Sequence, residues 1–129
     1  MATLTLTKDN FAETIGENDI VFIDFWAAWC GPCRAFGPVF ESASEAHSDV
    51  IFAKVDTEDQ QELAGMFGIT SIPTLVAFRE KVLVFGEAGA LPAPELEKVL
   101  GAVKELDMAE VHAQVAKQAS EAKESADTA

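Results

Sequence analysis

The stretch from Ile20 to Ala27 is apolar on both faces of an extended chain, and only Asp24 interrupts it. A strand buried on both sides fits the centre of a sheet with helices on each face, the arrangement of α/β folds. Thr3 to Thr7 alternates as a short strand, with Leu4 and Leu6 on one face. Asp9 or Asn10 can cap a first helix carrying Phe11 and Ile15, and Gly16 is placed to end it.

Beyond the central run, Arg34 to His47 reads as a helix that Pro38 should kink, because proline removes one ladder bond and crowds the preceding turn. Val50 to Val55 is a further strand. Asp59 to Phe67 reads as a helix with Leu63, Met66 and Phe67 on one side and Gly68 at its end. Thr74 to Phe78 and Val82 to Phe85 are strands joined by so short a link, Arg79 to Lys81, that they must pair antiparallel. Pro92 and Pro94 lead into a helix from Glu95 to about Leu106, with Leu96, Val99, Leu100 and Val103 as its buried stripe. The expected order is β-α-β-α-β-α-β-β-α, two parallel crossovers and a hairpin in one mixed sheet. After Leu106 the chain loses aromatics and large aliphatics. Met108, Val111 and Val115 can extend a helix for two turns, but past Ala119 too little apolar surface remains to offset ordering, and fraying is expected.

A length of 129 residues, 49% hydrophobic and 24% charged, suits one globular domain. The net charge of −13 disfavours nucleic acid and anionic membranes as partners. Neither a basic, apolar leader at the N-terminus nor an apolar run of the ~18 residues a membrane span needs is visible, so a cytoplasmic location is expected.

The chain has two cysteines, and they stand at C-x-x-C spacing in Trp29-Cys30-Gly31-Pro32-Cys33, where strand passes to helix. At such a junction the first cysteine meets unpaired N–H groups and the positive end of the helix, which favour its thiolate. The second lies one turn deeper, able to close a small disulfide ring. Redox chemistry is the reading this supports. Half of a zinc site is the alternative, but a structural site needs four ligands, and no second C-x-x-C or paired histidines accompany it. Two inert core cysteines are a third reading, opposed by the turn-forming Gly31-Pro32 pair. His47 and His112 read as solvent-facing helix residues without a role.

The segment Asp24 to Arg34, with its W-C-G-P-C core, resembles the active site of the thioredoxin family. Ser71-Ile72-Pro73-Thr74 resembles that family's cis-proline loop, and Gly89-Ala90-Leu91 the glycine loop bordering its groove. The likeness spans about residues 3–106, and its general character resembles the thioredoxins of actinobacteria. It implies a thioredoxin fold over 1–106, a central mixed β-sheet flanked by helices, with 107–129 a C-terminal extension that is partly helical or disordered. It further implies a thiol–disulfide oxidoreductase, a general protein-disulfide reductase serving electron transport and cell redox homeostasis. The chain would need no cofactor or metal of its own. Its partners would be disulfide-containing proteins and a thioredoxin reductase, a flavoprotein using NADPH, and it would act as a monomer.

By the same resemblance Cys30 is the nucleophile and Cys33 the resolving thiol. Asp24 lies buried beneath them, with a carboxyl raised by desolvation and able to take the Cys33 proton through a water. Lys54 neighbours that acid. The plainer alternatives are a structural Asp24 bonded to backbone or to Lys54, and a surface lysine. Pro73 would be cis, turning the backbone of Ile72 toward the cysteines to pair with an extended substrate strand. Trp29, Gly31, Pro32, Ile72, Pro73, Gly89 and Ala90 would bind substrate. Trp29 could instead be a core aromatic, a role that suits Trp26 better. One departure from the family pattern is Glu80-Lys81 where a turn with glycine is usual; a type I′ turn would put Lys81 at positive φ, so a different geometry or mild strain is expected. Two other classes stay open: a redox-switched binding module, and a structural partner in which the cysteines are dispensable.

Overall fold

The computed structural model describes residues 2–127, with strands β1 (Thr3–Thr5), β2 (Ile20–Trp26), β3 (Ile51–Asp56), β4 (Thr74–Arg79) and β5 (Val82–Ala88). Helices are α1 (Phe11–Glu17), α2 (Gly31–Ala46), α3 (Gln61–Met66), α4 (Ala93–Lys104) and α5 (Met108–Asp127). The strands form one sheet in the order β1-β3-β2-β4-β5. β2 lies parallel to β3 and antiparallel to β4, and β4 to β5 is the expected hairpin.

β2 is central because its alternate side chains feed two separate cores. Ile20 and Phe22 join Phe36 and Phe40 of α2, Phe52 and Leu75 of the neighbouring strands, and Leu96, Leu100 and Val103 of α4. Val21, Ile23 and Phe25 face the other way, against Ile15 of α1 and Leu63 of α3. Full burial of side chains this size is worth roughly 1.5–3 kcal/mol each, which makes both helical layers integral to the sheet. Asp24 projects into the α2 side of this apolar interior and is wholly buried.

Several elements differ from the sequence reading at their ends. β1 stops at Thr5; Leu6 is buried, while Leu4, at the open edge of the sheet, remains 40% exposed. α1 passes through Gly16 to Glu17. α3 begins at Gln61 rather than Asp59, and Met66 points to solvent at 70% exposure instead of joining Leu63. Gly68 follows that helix with φ +62°, a conformation that lacks the usual steric cost only for glycine. α4 starts early, at Ala93, with Pro94 in its first turn, where a missing N–H costs nothing.

His47 is not simply solvated. Its Nε2 stands 2.8 Å from Glu97 and its Nδ1 2.9 Å from the Nζ of Lys104, which tie the end of α2 to α4. Lys104 also bonds Asp49, whose carboxyl is lowered mainly by that hydrogen bond. His112 on α5 likewise meets Glu80 of the hairpin at 3.0 Å. α5 is helical from Met108 to Asp127, past Ala119 where fraying was expected, although among its described side chains only Met108 is buried.

Candidate active site

The C-terminal end of β2 delivers the chain into a short loop, and α2 starts at Gly31, three residues earlier than the sequence suggested. Cys30 is therefore the residue that caps the helix. Its Sγ accepts a hydrogen bond from the backbone N–H of Cys33 at 3.2 Å, occupying one of the donors that every helix start leaves free. Pro32 sits in the first turn, where its lack of an N–H breaks no bond. The two cysteines are joined as a disulfide, with Cα atoms 5.2 Å apart. Both sulfur residues are almost wholly buried, while Gly31 and Pro32 between them are exposed.

The Ile72–Pro73 bond is cis. It sets the Ile72 carbonyl oxygen 3.6 Å from the Sγ of Cys30, and the Ile72 side chain packs on the cysteines together with Trp26. Gly89, at φ +112°, donates its N–H to the Pro73 carbonyl at 2.8 Å, so the glycine loop is fastened to the proline loop. Ala90 follows it at the surface. Trp29 is 68% exposed rather than in the core, and its Nε1–H donates to Glu58 at 2.6 Å. Trp26 is the inner tryptophan, half-buried beside the cysteines.

Asp24 lies two residues before the end of β2 with neither carboxylate oxygen hydrogen-bonded to protein. Burial raises its carboxyl from 3.8 to about 7, and Lys54, directly across the β2–β3 register, acts in the opposite direction. The alternative of an acid bonded to backbone or to Lys54 finds no such bond among the described residues. The Lys54 ammonium lies 5.1 Å from the centre of the Trp26 ring, within reach of a cation–π attraction.

Cys30, Gly31, Pro32, Cys33, Ile72, Pro73 and Gly89 thus converge at one end of the sheet, with Trp29 beside them and Asp24 and Lys54 beneath. Sequence reasoning missed Glu58, which anchors Trp29. Its one signal was position: it follows a strand at the end of the sheet where α/β folds carry their functional loops.

The family model for thioredoxin matches residues 2–102. This chain belongs to the thioredoxin family. A putative thioredoxin 2 of Streptomyces coelicolor is 55% identical over 94% of this chain and 90% of its own length. A thioredoxin of Alicyclobacillus acidocaldarius is 46% identical over 79% of this chain and 98% of that one. Among solved structures, a mutant thioredoxin from Halobacterium salinarum superposes with a TM-score of 0.75 at 32% identity, covering 81% of this chain and 92% of the other. The short form of spinach chloroplast thioredoxin F gives 0.75 at 31% identity, covering 81% and 95%. The fold is the thioredoxin fold, and the protein is a thiol–disulfide oxidoreductase with Cys30 and Cys33 as its redox pair. The alignment with the Streptomyces relative spans 121 residues, so it runs well into α5, whereas the family model ends within α4.

Proposed function

We propose that the protein is a general, monomeric protein-disulfide reductase of the cytoplasm, in which Cys30 attacks and Cys33 resolves. The observation that carries this reading is the position of Cys30: its sulfur is the cap of α2, held by the Cys33 N–H and facing the Ile72 carbonyl. A negative sulfur there gains from the N–H groups and the helix field, so Cys30 is the one suited to leave and to attack.

The Cys30 thiolate attacks one sulfur of a partner disulfide, forming a mixed disulfide and releasing the partner's other sulfur as a thiolate. Cys33 then loses its proton, through a bridging water, to the carboxylate of Asp24. Its sulfur attacks Cys30 Sγ and expels the second partner thiolate, leaving the Cys30–Cys33 disulfide. Each turnover moves two electrons to the partner. A flavoprotein thioredoxin reductase restores the dithiol with electrons from NADPH. The proton step suits Asp24 because a carboxyl near 7 is close to half-ionised at neutral pH.

Substrate is held by main chain and shape. The polar backbone at Ile72 can pair with an extended strand, while Trp29, Gly31, Pro32, Pro73, Gly89 and Ala90 offer a rim with few charges. Such a rim favours breadth of substrate. The test is insulin reduction with dithiothreitol as donor. The wild type should turn over many equivalents, Cys30→Ser should lose all catalysis, and Cys33→Ser should accumulate a mixed disulfide through Cys30. Binding of insulin without turnover by the wild type would instead identify a redox-switched binding module.

A further inference from the structure

Among the described residues, four buried side-chain polar atoms lack a hydrogen-bond partner, and three belong to acids on the α2 side of the sheet: both oxygens of Asp24, and Oε1 of Glu41. Glu41 lies in α2, two turns beyond Cys33. Its other oxygen, Oε2, accepts from the Thr3 hydroxyl of β1 at 2.9 Å, which fixes the carboxylate against the sheet. Glu41 lines a cavity of about 370 Å³ together with Trp26, Cys33, Arg34, Gly37 and Lys54.

Lys54 lines the same cavity as Glu41. Its strand position is opposite Asp24, and its Nζ lies so near α2 that a Cβ on Gly37 would stand 3.9 Å away. Among the described residues it forms no ion pair. Glu45, one turn beyond Glu41 on α2, is exposed. Arg34 is exposed at the cavity mouth, and Asp56, on the same face of β3, accepts the N–H of Glu58 at 3.0 Å. Thr3 and Thr5 on β1 carry no charge, and the His47, Glu97 and Lys104 group sits at the far end of α2.

One ammonium, paired with neither acid among the described residues, is thus the cation at hand for two carboxylates, one of which gains and loses a proton. We propose that Glu41 is a positioning residue for the proton step, taking up Lys54 when Asp24 is protonated and releasing it toward Asp24 when Asp24 ionises. The flexible lysine stem permits this exchange, and a half-buried ammonium gains from a nearby counter-charge in either state. Glu41 thereby stabilises the state with Asp24 protonated, because Lys54 keeps a partner there. The proposal rests on Asp24 as the acceptor for Cys33, and it adds how the readiness of that acceptor is set.

The test is a ¹³C NMR titration of the Asp24 carboxyl in the reduced full-length protein. Glu41→Gln should lower the Asp24 midpoint by about half a unit or more, and Glu41→Asp, which keeps the charge, should retain most of the wild-type value. Lys54→Met should raise the midpoint. In the Lys54→Met background, Glu41→Gln should then move it no further. An unchanged midpoint in Glu41→Gln overturns the proposal, and so does a shift of the same size in the absence of the lysine, which would mean a direct field from Glu41. A Glu41 that merely braces β1 through Thr3 would alter melting and leave the midpoint in place. The catalytic role of Asp24 is judged separately, by the lifetime of the mixed disulfide at pH 7: Asp24→Asn should lengthen it at least about tenfold. Either result can fail without the other.

Discussion

Burial that raises the Asp24 carboxyl to about 7 also makes folding depend on pH. Between the unfolded value of ~3.9 and ~7, the folded chain keeps a proton that the unfolded chain has lost, so stability falls as pH rises through that window and levels off above it. A displacement of this size corresponds to about 4 kcal/mol at most. Asp24→Asn removes the titration while nearly keeping the shape. Denaturant melts should show the variant more stable than wild type at pH 8, with the gap closing toward pH 4. Equal differences at both pH values would mean that the acid is not desolvated in the folded state. Asp24 was legible in the sequence because an acid inside a run apolar on both faces has no ordinary explanation. Glu41 and Glu58 were not, because each is one of 22 acidic residues and becomes distinct only through what the fold sets beside it: Thr3 and Lys54 in one case, the Trp29 indole in the other.

Local backbone chemistry decides the element ends in the same way. The β4–β5 link was short enough to demand a hairpin, but its length left the turn type open. The structure has Glu80 at φ 49° and Lys81 at φ 70°, the two left-handed positions of a type I′ turn. Neither is glycine, and a Cβ in that region costs on the order of 1 kcal/mol. Lys81→Gly should therefore stabilise the protein by about that amount in chemical denaturation, offset in part by glycine's freedom when unfolded. Loss of stability would show the Lys81 side chain making a contribution larger than its backbone penalty. Glu80 is the wrong position for the same experiment, since His112 and the carbonyl of Asp19 both engage it. The start of α2 was misplaced for a related reason. Gly31 and Pro32 carry turn signals, yet the first turn of a helix accepts proline freely, and the sulfur of Cys30 supplies the cap that no Ser, Thr, Asp or Asn announces.

Across the whole molecule the sheet has two unlike ends. Ala88 pairs with Thr74 beside the cis-proline loop, while Val82 pairs with Arg79 at the opposite end, away from the cysteines. α5 belongs to that second end. His112 reaches the hairpin turn, and Val111 and Val115 line a groove with Val82, Leu83 and Val84 of the edge strand. The junction is secured by Arg79, whose Nη1 lies 2.8, 2.9 and 3.0 Å from the carbonyls of Val103, Lys104 and Leu106, where α4 ends and a cation is favoured. The sequence indicated too little apolar surface past Ala119 to offset ordering, whereas the helix runs on to Asp127 with residues 112–123 exposed; the sequence could not show the hydrogen bond and the groove that orient the first turns. Among the described residues, removing Asp107 to Ala129 deletes one buried side chain, Met108, and leaves the Arg79 clamp on residues up to Leu106 intact. The loss should be about 2 kcal/mol, the worth of one such burial, read as a lower denaturation midpoint. Insulin reduction should proceed at the full-length rate, because among the described residues α5 meets the hairpin and edge strand at the end of the sheet away from the cysteines. A truncated protein that melts as before but reduces more slowly would reverse this assignment and make α5 part of how substrates are engaged.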